Sequence, residues 1–144
     1  MKEFDLFVRT KVLFGEEKLK KIGELCESRG MKKVFIFYTP AMEHGPFLEM
    51  VRKILKEKNI SLQEYGNLYG EPSVKEIDEI AAEARKKDFD GIIAMGGGSV
   101  LDTGKAVSML LKNEGFLKEY LFGGERIVKN KGIPVICVPT TAGT

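Results

Sequence analysis

One histidine, two cysteines and no tryptophan occur in the 144 residues. With His44 alone, most histidine-based metal centres and histidine-dependent catalytic triads lack their parts within this chain. Cys26 and Cys137 are far apart and form no CxxC pair. Two ordinary buried thiols are therefore expected, rather than a disulfide or a metal role. Charge of one sign is missing as well. Lys and Arg number 23 against 21 Asp and Glu, a net charge of +2. That balance excludes the basic excess of a nucleic-acid or membrane-surface binder. No apolar run approaches the roughly 20 residues needed to cross a bilayer. The opening "MKEFDLFVRT" carries Glu3 and Asp5 where a signal peptide needs an apolar stretch, so a cytoplasmic protein is expected.

What is present suits one soluble globular domain with a sizeable core: 43% hydrophobic and 31% charged residues. Strand and helix patterns alternate along it. "KVLFGEEKLKKIGELCESRG" starts with a short apolar run, turns at Gly15, and continues as a helix with Leu19, Ile22, Leu25 and Cys26 on one face and Gly30 as its stop. "KKVFIFYTP" is an uninterrupted apolar run, the habit of a strand buried on both faces. "PFLEMVRKILKEKN" places Phe47, Met50, Val51, Ile54 and Leu55 at helical spacing, and "ISLQEYG" reads as a second strand. The next helix starts at the Ser-x-x-Glu capping box of Ser73 and Glu76. "FDGIIAM" is the third strand, "SVLDTGKAVSMLLKN" the helix after it and "IPVICVP" the fourth strand. Between those last two lies a loop with a short helical piece around Leu117–Leu121. The alternation predicts an α/β fold, a Rossmann-like parallel sheet flanked by helices.

In such sheets, ligands bind beyond the carboxyl ends of the strands. "TP" (39–40), "GEP" (70–72), "GGGS" (96–99) and "PTTAGT" (139–144) all fall there. Three glycines between a buried strand and a helix let the backbone approach a ligand closely. Ser99 is placed to cap that helix, whose first-turn amides can receive an anionic oxygen. Neither common phosphate-loop pattern fits. GxGxxG would need glycine at Leu101, and GxxxxGK[ST] would need glycine at Ser99 and a hydroxyl residue at Ala106. On the motif alone, a phosphate cradle and a plain tight turn both stay open. Asp102 and Lys105, three apart, fit an ordinary surface ion pair as well as a functional one.

"GGGSVLDTGKA" and "IPVICVPTTAGT", in this order, resemble the two signatures of the iron-containing (group III) alcohol dehydrogenases, GGGSxxDxxKA and PTTAGTGSE. "KVLFGEEKLKKIGEL" resembles that family's opening hairpin and helix, and "KKVFIFYTPAM" the next strand with its nucleotide-contacting turn, so nearly the whole chain is covered. The resemblance implies the N-terminal NAD(P)-binding domain of a dehydroquinate-synthase-like protein over residues 1–144, with a short N-terminal β element. Gly97, Gly98 and Ser99 would contact the cofactor pyrophosphate. Thr140, Thr141 and Thr144 would touch the nucleotide from the end of the fourth strand. Asp102 would face the nicotinamide side, and Lys105 would help order its helix. Thr39 stands where many members have an aspartate that binds the adenosine ribose 2′-hydroxyl. A hydroxyl there can donate to a 2′-phosphate that a carboxylate would repel, which predicts that NADP is tolerated or preferred over NAD. Glu71 stands at a position more often asparagine, which puts the adenine-side contact there in doubt.

The family's metal, iron or zinc, is held by one aspartate and three histidines that are expected beyond the PTTAGT stretch, in a helical C-terminal domain absent from these 144 residues. No catalytic or metal-binding residue is therefore expected in this chain, and His44 is expected to be an exposed turn residue. The complete protein would pass a hydride between a small alcohol or aldehyde and the nicotinamide cofactor, while this chain alone would bind nucleotide weakly. Surface left bare by the missing domain would favour self-association as a homo-oligomer. The alternatives are a non-catalytic nucleotide-binding or interaction module, such as a split-gene subunit, and a glycerol or polyol dehydrogenase of the same superfamily.

Overall fold

A computed structural model describes residues 9–141. Four parallel strands form one sheet in the order β2-β1-β3-β4: β1 (Lys33–Tyr38), β2 (Ser61–Tyr65), β3 (Gly91–Gly96) and β4 (Val135–Pro139). A 3-10 turn (Lys18–Lys21) runs into α1 (Ile22–Ser28); α2 (Pro46–Glu57), α3 (Val74–Arg85) and α4 (Gly98–Leu110) are the connections between strands. This is the α/β architecture that the alternation predicts.

Side-chain alternation along the central strands decides which helix lies on which face. Val34, Ile36, Tyr38, Ile93 and Met95 point to one side and pack with Ile22, Cys26, Leu48, Val51 and Leu55 of α1 and α2. Phe35, Phe37, Ile92 and Ala94 point to the other and pack with α3 and α4 through Ile77, Ile80, Ala84, Val100, Val107 and Leu110. Both central strands are thus covered twice, which is why they read as unbroken apolar runs. Burial of each large apolar side chain stabilises the fold by about 1.5–3 kcal/mol.

Local signals behave as expected at several boundaries. The hydroxyl of Ser73 accepts a hydrogen bond from the Glu76 amide at 3.1 Å and caps α3. After α1, Gly30 adopts a φ of 70°, and the Met31 amide returns to the Cys26 carbonyl. The Asp90 carboxylate accepts from the amides of Lys32 and Lys33, joining the start of β1 to the start of β3.

Three expectations are corrected. Val12–Phe14 form no strand and are exposed, so the opening hairpin has no strand in the described residues; residues 1–8 lie outside them. Phe47 is 60% exposed, and Leu48 takes the core position instead, because 48, 51 and 55 share the face of α2 that meets the sheet. Cys137 is exposed, unlike buried Cys26, because β4 is an edge strand with only partial cover.

Candidate nucleotide site

The chain leaves β1 for α2 on one face of the sheet and leaves β3 for α4 on the other. The two strands are neighbours, so their outgoing connections diverge and open a crevice at their carboxyl ends. Thr39 stands on one lip, half-buried, with extended backbone (φ −84°, ψ 150°), and its carbonyl accepts from the Met42 amide in the 3-10 turn Pro40–Met42. Gly96, Gly97 and Gly98 form the other lip.

These glycines have different reasons to be there. A Cβ on Gly96 would stand 2.7 Å from Val100 Cγ2, so Gly96 lets the first turn of α4 close onto the strand end. A Cβ on Gly104, one face further along α4, would stand 2.9 Å from the Ala94 Cβ and 3.3 Å from Ile92 Cγ2. Gly104 therefore sets how closely α4 lies on β3. Gly98 meets nothing within 4 Å, so no packing within the chain demands a glycine there. Its surroundings are open to a ligand.

Ser99 does not cap α4, contrary to expectation. The cap is Gly97, which has no side chain to offer, and Ser99 lies inside the helix, its carbonyl accepting from Thr103 Oγ1 at 2.7 Å. The first amides of a helix have no partner within it. With no side-chain cap either, those of α4 face outward with the positive end of the helix dipole behind them. The Thr140 amide donates to the Gly96 carbonyl at 3.0 Å, bringing the end of β4 against this loop, and the Thr141 side chain comes within 3.6 Å of where a Gly97 Cβ would be. Thr144 lies outside the described residues.

Asp102 and Lys105 sit on the exposed side of α4, joined at 2.9 Å with 76% and 60% of their side chains exposed. The hydrogen bond to Asp102 raises the Lys105 pKa. The geometry is that of a surface ion pair, worth little to stability. Cys137 lies close enough for Lys105 to bear on it, although partial burial, the larger influence, pushes its thiol up. His44 is exposed in a turn, as expected. Glu71 is exposed beyond β2, which β1 separates from β3.

Two features escaped the sequence reading. One is an apolar cleft of about 450 Å³ beside the crevice, bounded by Leu19, Met42, Phe47, Met95, Val138 and Thr140. It draws on four separate segments, so nothing local in the sequence marks it. The other is a polar network of Tyr38, Arg52 and Glu64 under the Thr39 lip. A second cavity, of about 510 Å³, lies at the C-terminal end of α4, where an Arg85 Nη2 donates to the carbonyls of Leu110 and Asn113. It is at the far end of α4 from the glycine loop.

Among the described residues, no three His, Cys, Asp or Glu side chains converge on a point. The described residues offer no set that fits a metal ion, while the amide-lined glycine loop fits an anionic group. None of the described helices is long and apolar enough to cross a membrane.

The sequence pattern of the iron-containing alcohol dehydrogenases matches residues 9–144. The probable alcohol dehydrogenase EutG of Escherichia coli (strain K12) is 32% identical over 133 residues, covering 92% of this chain and 33% of that protein. The NAD-dependent methanol dehydrogenase of Bacillus methanolicus is 28% identical over 141 residues, covering 97% and 36%. The crystal structure of NADH-dependent butanol dehydrogenase A from Thermotoga maritima superimposes with a TM-score of 0.91 at 28% identity, over 100% of this chain and 36% of that one. The chain thus spans about a third of the length of these relatives. The glycine loop at the switch between β1 and β3, the threonine-rich end of β4 and the match over residues 9–144 lead to one conclusion: this chain belongs to the iron-containing alcohol dehydrogenase family.

Proposed function

We propose that residues 1–144 are the NAD(P)-binding domain of a dehydrogenase that moves a hydride between a small alcohol or aldehyde and a nicotinamide cofactor. The observation that carries the reading is the start of α4: outward amides, no side-chain cap, and Gly98 open where a bound group would come. In this reading Gly97, Gly98 and Ser99 hold the pyrophosphate, Thr140 and Thr141 line the same pocket from β4, and Thr39 meets the adenosine ribose. Asp102 on the nicotinamide side, and Thr144, which lies outside the described residues, complete the assignment.

The cofactor supplies the hydride acceptor when bound; the residues here bind and orient it. The hydroxyl of Thr39 supports tolerance of NADP(H) beside NAD(H), and the names of the methanol and butanol dehydrogenases support NAD(H). In the complete protein, iron or zinc held by a helical domain outside these residues would supply the polarisation of the alcohol oxygen. A cytoplasmic location and self-association of the chain are parts of the same proposal. Exposed Phe14, Phe122 and Ile127 support the second.

Fluorescence titration with NADH and NADPH tests the assignment, on the chain alone and with a metal-binding C-terminal domain supplied. Saturable binding that strengthens with the added domain is expected. Absence of binding in both forms would overturn it.

A further inference from the structure

Tyr38 ends β1 immediately before Thr39, and its ring passes beneath the lip toward β2. Gly66 makes room for it, since a Cβ there would stand 2.5 Å from Tyr38 Cε2. The Tyr38 hydroxyl donates to Glu64 Oε2 at 2.7 Å. Arg52 of α2 grips the same carboxylate with two bonds, Nε to Oε1 at 2.8 Å and Nη2 to Oε2 at 2.6 Å. Its remaining nitrogen, Nη1, donates to the Glu43 carbonyl at 2.9 Å and to the Glu49 carboxylate. The Arg52 and Glu64 side chains are only 25% and 24% exposed.

Placing this assembly in an otherwise apolar layer has a desolvation cost, and a stable fold does not require it. Its charge is also unbalanced. Glu49 and Glu64 contribute −2 against +1 from Arg52, and the Glu43 carboxylate, which acts on Tyr38 through its charge alone, adds a further −1 beside the turn that follows Thr39. Part of this field reaches the Tyr38 phenol, whose titration is governed first by its burial. Burial, then the hydrogen bond and charge of Glu64, and more weakly Glu43, push it up to about 12 against the opposing Arg52. A ribose 2′-hydroxyl is indifferent to such a field, whereas a 2′-phosphate brings up to two further negative charges into it.

We propose that the Glu64–Arg52 pair, with Glu43 beside it, is a specificity determinant of this site, setting its discrimination against a phosphate on the 2′ position of the adenosine ribose. The inference rests on the dinucleotide reading and adds residues that touch no cofactor. Thr39 admits the 2′-phosphate by its chemistry, and the carboxylates behind it oppose that group at longer range. Neutralising Glu64 removes one negative charge and frees part of the Arg52 guanidinium, so the balance moves toward the phosphorylated ribose.

Calorimetric titration of the chain with 5′-AMP and with adenosine 2′,5′-bisphosphate reads the ratio of the two affinities. Glu64→Gln is expected to shift the ratio toward the bisphosphate by about three- to tenfold, and Glu43→Gln, an exposed position, by about twofold in the same direction. Glu57→Gln makes the same charge change on the outer part of α2 and is expected to leave the ratio unchanged. If both affinities fall together at an unchanged ratio, the network only supports the fold and the inference is wrong. Should Glu64→Gln fail to fold, an unmoved ratio in Glu43→Gln overturns the inference equally. Binding of neither nucleotide by the unsubstituted chain, alone and with the C-terminal domain supplied, would overturn the dinucleotide reading, and this inference with it.

Discussion

Substituting alanine at Gly98 and at Gly104 should have opposite consequences, although both glycines lie in α4. At Gly104 the new methyl would meet the Ala94 Cβ at 2.9 Å. That atom is attached directly to a central strand buried on both faces, so it cannot swing aside as the tip of a long side chain could. Alanine gains about 1 kcal/mol of helix propensity over glycine. Overpacking costs about 1–3 kcal/mol, and a contact under 3.0 Å with an atom fixed to the strand belongs to the upper part of that range, about 2–3 kcal/mol, so a net loss of about 1–2 kcal/mol is expected. For a chain of this size that is a fall in melting temperature of about 3–6 °C. At Gly98 the methyl meets nothing within 4 Å, so stability should hold or rise by up to about 1 kcal/mol. Nucleotide binding should nevertheless weaken there. Losing a charge-assisted hydrogen bond of about 1.5–3 kcal/mol corresponds to roughly tenfold to a hundredfold in affinity. Circular dichroism melts and NADH titration of both variants give the answer. A Gly104→Ala protein melting at or above the parent would show that α4 is not held to β3 at this distance. A Gly98→Ala protein with undiminished binding would remove the amide cradle.

Other outcomes follow from local contacts. Ser73→Ala removes the cap of α3 and should cost about 1 kcal/mol in urea unfolding, with Ser73→Thr largely restoring it. A chromogenic disulfide reagent should titrate one thiol, Cys137, in the native chain and two after denaturation; two fast native thiols would contradict the burial of Cys26. Stability should decline with rising pH in the alkaline range. Burial first, with the charges of Asp90 and Glu27, raises the Cys26 thiol from 9.0 to about 11, and Tyr38 goes from 10.0 to about 12. A group whose folded pKa is raised lends stability that is whole below its unfolded value and disappears as pH climbs through the folded one. The loss should therefore run from about pH 9 to about pH 12, and Cys26→Ala should flatten its lower part.

Local chemistry and periodicity carry most of what was legible in the chain before folding. The runs "VFIFY" and "GIIAM" announce doubly covered parallel strands, because no face of either offers a polar residue to water. Ser73 marks the start of α3 since its cap is made with a residue three positions on. The glycine loop and the threonines after β4 were legible as site candidates because both belong to strand ends. Other features were decided by tertiary structure alone. Which strand neighbours which, and hence where the crevice opens, depends on pairings between residues such as Ile36 and Ile93, which local propensity does not encode. The sequence pattern marks Ser99 as a cap, but the close approach allowed by Gly96 starts the helix one residue before it, and Gly97 becomes the cap. Cys137 reads as core until β4 proves to be an edge. Arg52, Glu64 and Tyr38 stand on three different elements, and only the packing of α2 across β1 and β2 makes them one network. Contacts between residues distant in sequence are chosen by the packing of the whole sheet, so they become visible only when it is assembled.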